Sequence, residues 1–151
     1  MPIVKARILR SLKNAKMQST DKGFENAKIL LVDDQELNRD VLAHRLKKSG
    51  YLIDSCTDGH EAIAKLKNED FDLILLDIMM PDISGIDVLK EVRKLDKHKN
   101  TPVIMITALD DDKAIDECMS QGADDYILKP FNTVLLKLRI TSCLKSRTST
   151  E

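Results

Sequence analysis

The chain has 151 residues, enough for one domain with some tail, and its 42% hydrophobic content suffices for one core. Aromatic residues make up only 3%, with no Trp, so that core must be built from Leu, Ile, Val, Ala and Met. A net charge of −1 with 32% charged residues describes a solvated surface without bulk attraction for nucleic acid, and no run approaches the roughly 18 apolar residues of a membrane span.

Residues 1–27 differ from the rest. Lys5, Arg7, Arg10, Lys13 and Lys16 precede the first acid, Asp21, and Ile3, Val4, Ile8, Leu9 and Leu12 have the spacing of a short basic amphipathic helix. Residues 18–23 are polar and predict a linker. From Lys28 the pattern alternates. Ile29-Leu30-Leu31-Val32 is an apolar run ending in Asp33-Asp34, followed by a helix over about 36–49 with Leu37, Val41, Leu42 and Leu46 on one face and Gly50 as its stop. Residues 51–56 suit an edge strand. Asp58 is placed to cap a second helix reaching Asn68, with Ala62, Ile63 and Leu66 inward.

Leu73-Ile74-Leu75-Leu76 is a second apolar run, ending in Asp77. A loop with Pro81 and Gly85 leads to a helix carrying Val88, Leu89, Val92 and Leu95. The charged stretch Lys94 to Lys99, His98 included, has the composition of a solvated loop. Val103-Ile104-Met105-Ile106 ends at Thr107, and Asp110 to Asp112 begin a helix with Ile115, Cys118 and Met119 inward, closed by Gly122. Tyr126-Ile127-Leu128 is the last strand, followed by Lys129-Pro130 and a helix over about 132–145. Five short strands alternating with helices predict an α/β fold with a doubly wound, five-stranded parallel sheet, its apolar runs buried on both faces.

Ligands of such sheets bind beyond the carboxyl ends of the strands. There the pattern gathers Asp33, Asp34, Asp77, Thr107 and Lys129: three carboxylates, a hydroxyl and an ammonium. Any one of them alone has a bland explanation, since aspartates at strand ends also cap helices and a single lysine is usually solvated. Together the acids would repel one another unless compensated, and Mg²⁺ suits the task because it favours oxygen ligands and keeps waters through which phosphate can enter. Cys56, Cys118 and Cys143 are too far apart for a zinc site and predict small buried hydrophobes in a reducing compartment. His44, His60 and His98 lack ligand spacing and predict surface or structural roles.

The motifs Leu31-Val32-Asp33-Asp34, Leu76-Asp77-Ile78-Met79-Met80-Pro81-Asp82-Ile83-Ser84-Gly85, Ile106-Thr107-Ala108 and Tyr126-Ile127-Leu128-Lys129-Pro130-Phe131 together resemble the receiver domain of response regulators in two-component systems. The resemblance covers about residues 27–146 and implies a flavodoxin-like strand order 2-1-3-4-5 with an extra N-terminal helical segment. It implies that Asp77 is the phosphoacceptor, that Asp34, Asp77 and the main-chain carbonyl of Met79 ligate Mg²⁺ (or Mn²⁺) and that Asp33 does so through water. Lys129 and Thr107 would contact the phosphoryl group, Thr107 and Tyr126 would form the switch pair, Ala108 would leave room for phosphate access, and the Lys129-Pro130 bond would be cis. The expected donor is a histidine kinase or phosphotransfer protein. The output surface is expected on the fourth helix, fifth strand and fifth helix, acting on an effector that the sequence does not name.

Other expectations follow. Apolar Met79 and Leu109, each two positions after a site residue, imply a long-lived phosphoryl group. Asp125 and Arg139 match positions that pair between protomers in DNA-binding-type receiver dimers, although Leu135 stands where an acid is expected, so a phosphorylation-dependent homodimer is a weaker implication. Residues 4–13 repeat the pattern of residues 136–145, as if 1–27 held the last helix of a preceding receiver; a chance match of basic helices is the alternative. Residues 147–151 form a polar tail too short for an effector, so the chain is expected to be a stand-alone receiver or one excised from a tandem-receiver or cyclase-type regulator. It is expected to be cytoplasmic, to bind neither nucleic acid nor membrane directly, and not to turn over substrate, since the second acid of D-x-D phosphatases is replaced by Met79. A phosphorylation-independent adaptor is the competing class; it would lack an acid, the lysine or the threonine, and none is missing.

Overall fold

The computed structural model describes residues 26–108 and 110–150. The helix and linker expected before residue 26, and Leu109, lie outside the described residues. In chain order the elements are β1 (Lys28–Val32), α1 (Glu36–Lys48), β2 (Leu52–Cys56), α2 (Gly59–Asn68), β3 (Leu73–Leu76), α3 (Gly85–Lys94), a 3₁₀ turn (Asp96–His98), β4 (Val103–Thr107), α4 (Asp112–Ser120), β5 (Asp125–Leu128) and α5 (Thr133–Thr150). All strand pairs are parallel and the sheet order is β2-β1-β3-β4-β5.

The apolar runs explain that order. Every residue of β3 and β4 is buried, as is β1 after Lys28, while the mixed strands β2 and β5 lie at the edges. Side chains alternate between two cores. Leu30, Val32, Ile74, Leu76, Val103 and Met105 pack under α2, α3 and α4, whereas Ile29, Leu31, Leu73, Leu75, Ile104 and Ile106 pack under α1 and α5. Caps set the helix starts: Asp58 accepts the Glu61 N–H at 2.8 Å, and Asn132 accepts the Leu135 N–H at 2.6 Å. Gly50 and Gly122, after α1 and α4, have φ of 103° and 105°, a conformation that favours glycine.

Four expectations are corrected. Leu37 and Val41 are 76% and 43% exposed, because the buried face of α1 is centred on Leu42, Ala43 and Leu46. Met119 is 44% exposed, because the inward stripe of the short α4 runs through Ala114 and Cys118. His98, hidden in a charged stretch, is fully buried: the 3₁₀ turn tucks its ring between Thr101 Oγ1 and the Glu69 carbonyl, each at 3.0 Å. Cys143 is only half-buried, unlike Cys56 and Cys118.

Candidate phosphoacceptor site

Register builds the site. Val32 lies beside Leu76, and Leu76 beside Met105, so the residues that leave β1 and β3 emerge together at one rim. The ladder continues past the strand ends: Asp77 N–H donates to the Val32 carbonyl at 3.1 Å, and Lys129 N–H to the Thr107 carbonyl at 2.8 Å. Asp33 and Asp77 are buried there, Thr107 is fully buried, and Asp34 and Ala108 are exposed. The Lys129-Pro130 peptide is cis.

The side chains converge. Carboxylate oxygens of Asp33, Asp34 and Asp77 lie within 4.8 Å of one another. Lys129 Nζ sits between two of these acids, 3.0 Å from Asp33 Oδ2 and 3.2 Å from Asp77 Oδ2. Asp33 Oδ1 also accepts the Gln35 N–H at 2.9 Å, and Asp77 Oδ1 the Met79 N–H at 3.2 Å. The Met79 side chain projects outward, 60% exposed.

Burial, helped by repulsion from Asp33, raises the Asp77 pKa above the ordinary aspartate value; Lys129 and the Met79 N–H oppose this and do not cancel it. For Lys129 burial works toward a lower value, but Asp33 and Asp77 together outweigh it and the ammonium is held above its ordinary value. Three carboxylates facing one ammonium leave negative charge uncompensated, and this donor set of oxygens alone fits a hard divalent cation. Tyr126, at the start of β5, is half-buried against the core, and its phenol is pushed up to about 12, chiefly by burial.

Some contributors were not foreseen. Arg39 Nη1 donates to the Asp33 carbonyl at 2.8 Å, anchoring the turn that presents both acids; its place six residues on, in the first turns of α1, was the available signal. Gly85 lies against the Asp77 backbone, where a Cβ would come within 2.0 Å of the Asp77 carbonyl oxygen. A groove of about 540 Å³ opens beside the site, lined by Asp33, Leu37, Val41, Lys129 and Phe131 among others, which is where the exposed α1 residues go.

Comparison with known proteins accords with this geometry. A family profile described as "Response regulator receiver domain" matches residues 29–141. The transcriptional regulatory protein ResD of Bacillus subtilis is 41% identical over 123 residues, covering 82% of this chain and 50% of ResD, so the chain spans about half the length of that relative. Among solved structures, a CheY-like response regulator receiver domain protein from Methanospirillum hungatei is 31% identical, with a TM-score of 0.79, covering 82% of this chain and 98% of that one. The response regulator protein TrrA from Thermotoga maritima, in complex with Mg(2+)-BeF, is 38% identical, with a TM-score of 0.70, covering 77% and 97%. With a profile match over most of its length and the strand order found above, the chain belongs to the response regulator receiver domain family, a family of signalling domains.

Proposed function

We propose that residues 28–146 act as a receiver that takes a phosphoryl group onto Asp77 from the phosphohistidine of a kinase or phosphotransfer protein. The observation that carries this is the buried Asp77 carboxylate, held 3.2 Å from Lys129 within a three-acid pocket. An Asp77 oxygen would attack phosphorus as the bond to the histidine nitrogen breaks, the electron pair leaving with the imidazole. Asp34, Asp77 and the Met79 carbonyl would hold Mg²⁺, or Mn²⁺ in its place, with Asp33 linked through water. When bound, the ion neutralises phosphoryl oxygens. Lys129 then pairs with the acyl phosphate, the Thr107 hydroxyl donates to one of its oxygens, and the exposed Ala108 leaves the approach open.

Phosphorylation replaces the single charge of the Asp77 carboxylate with a phosphoryl group carrying about −1.5 to −2 charges and three acceptor oxygens, a change at a rim already rich in acids that would bias two packings of Thr107 and Tyr126. The resulting change would be presented on α4, β5 and α5 to an effector. Asp125 and Arg139 pair within the chain at 3.4 Å, so a dimer of the expected type would exchange that contact between protomers. Three buried α5 positions, Leu136, Ile140 and Leu144, correspond to Val4, Ile8 and Leu12 in the N-terminal repeat, which supports a tandem-receiver origin. The apolar Met79 supports a slow-decaying phosphoryl group, and Met79→Asn is expected to change the decay rate. No helix among the described residues is long and apolar enough to cross a membrane; the proposed location is the cytoplasm, where the donor kinases present their phosphohistidine.

The test is intact mass after incubation with acetyl phosphate. One phosphoryl adduct is expected with Mg²⁺, and none in EDTA or in Asp77→Asn. An equal adduct in Asp77→Asn would overturn the assignment.

A further inference from the structure

The first N–H groups of a helix have no partner within it. α2 satisfies them with two aspartates from different parts of the chain. Asp58 takes the Glu61 N–H. The N–H groups of Gly59 and His60 donate to Asp82, more than twenty residues along in the β3–α3 loop, at 3.1 and 2.8 Å. His60 Nδ1 also lies 2.7 Å from Asp82 Oδ2. Partial desolvation, the largest single influence on Asp82, would raise its pKa, yet the N–H groups of His60, Ile83 and Gly59 hold it well below the ordinary carboxylate range. Beside this contact Ile83 packs on the bare Cα of Gly59, where a Cβ would come within 2.5 Å of Ile83 Cγ1.

The loop fastened in this way is the one that leaves Asp77. Its near end is tied by the Met79 N–H to the Asp77 carboxylate, and its far end by the Gly85 N–H to the Ile78 carbonyl at 2.7 Å. Between those ties, among the hydrogen bonds of the described residues, Ser84 caps α3, the helix into which the loop runs, by accepting the Asp87 N–H at 3.3 Å, and Asp82 fastens the loop sideways to α2.

We propose that Asp82 is a positioning residue for phosphoryl acceptance: by clasping the start of α2 it holds the loop so that the Met79 backbone stays against Asp77 and the cation pocket. The inference rests on the reading of Asp77 as phosphoacceptor. A carboxylate is needed because two N–H donors must be accepted at once. Asn offers one acceptor and turns an NH₂ toward the other donor, and Ala offers none.

The experiment uses the whole chain and the variants Asp82→Ala, Asp82→Asn and His60→Ala. Metal-free amide exchange is followed at residues 78–80, and labelling by acetyl phosphate is titrated with Mg²⁺. Asp82→Ala is expected to speed exchange at 78–80 and to raise the half-saturating Mg²⁺ concentration by about three- to tenfold, the scale of losing a capping carboxylate. Its rate at saturating Mg²⁺ should stay near wild type. Asp82→Asn should fall between the two, and His60→Ala, which keeps both backbone donors, should resemble wild type. Faster exchange confined to α2, with an unchanged Mg²⁺ midpoint, would make Asp82 merely structural and overturn the proposal, as would a His60→Ala effect equal to that of Asp82→Ala. If wild type takes no label, the phosphoacceptor reading fails by itself, and unchanged exchange at 78–80 in Asp82→Ala would still refute the clasp separately.

Discussion

The two ends of the sheet treat charge in opposite ways. At the base, beneath β4, the Arg93 guanidinium donates to the carbonyls of His98, Thr101 and Gly122 and to the Asp124 carboxylate, over distances of 2.6 to 3.1 Å. Asp124 in turn accepts the Val103 N–H at 2.9 Å, and the buried His98 ring has a partner on each nitrogen. At the rim, three acids gather around one pocket with one lysine, which pairs with Asp33 and Asp77. The base is a closed network that spends its polar groups on stability. The rim is left short of positive charge, as a site needs to be if a cation and a phosphoryl group are to complete it.

Substitutions at the two ends should therefore separate. The largest effect is expected from Gly85→Ala, whose Cβ meets the Asp77 carbonyl oxygen at 2.0 Å. It should destabilise the domain by about 3 kcal/mol and also abolish the adduct in the molecules that still fold; urea unfolding and intact mass report the two separately. Arg93→Met at the base should cost about 2 kcal/mol by leaving buried carbonyls unpaired. Its labelling rate per folded molecule should stay that of wild type, and a slowed rate would mean that base and rim are coupled.

Removing charge from the rim should do the reverse. Asp77→Asn in EDTA is expected to unfold at a higher urea concentration than wild type, since the native state no longer holds a desolvated carboxylate beside Asp33. Lower stability would mean that Lys129 fully compensates the site. The smallest effect is a pH dependence at Asp82. Its carboxyl is more acidic in the native state than in the unfolded chain, so its contribution is complete above the ordinary aspartate range and is lost as pH falls through the native value. The stability gap between wild type and Asp82→Asn should thus close in acid. A gap unchanged in acid would contradict the clasp.

What the amino-acid order discloses follows the range of the interaction. The strand ends are legible because Leu-Ile runs stop at Asp33, Asp77, Thr107 and Lys129, and parallel register then brings those stops together. Caps such as Asp58 are legible because donor and acceptor are three residues apart. Asp82 is not: beside Pro81 it has the look of a turn residue, and its partners are the N–H groups of Gly59 and His60, more than twenty residues away in the chain. His98 is hidden for a similar reason, its partners being supplied by Thr101 and by a carbonyl 29 residues away. Leu37 and Val41 follow a helical period, yet α1 is aligned on Leu42, Ala43 and Leu46, which leaves them along the groove.

The most direct measurement is to locate the phosphoryl group chemically. Protein labelled with acetyl phosphate and Mg²⁺ is reduced with borohydride, which converts an aspartyl phosphate to homoserine, and the peptides are then mapped by mass. Conversion at Asp77 alone is the predicted result; conversion at Asp33 or Asp34, or at none of the three, would contradict it.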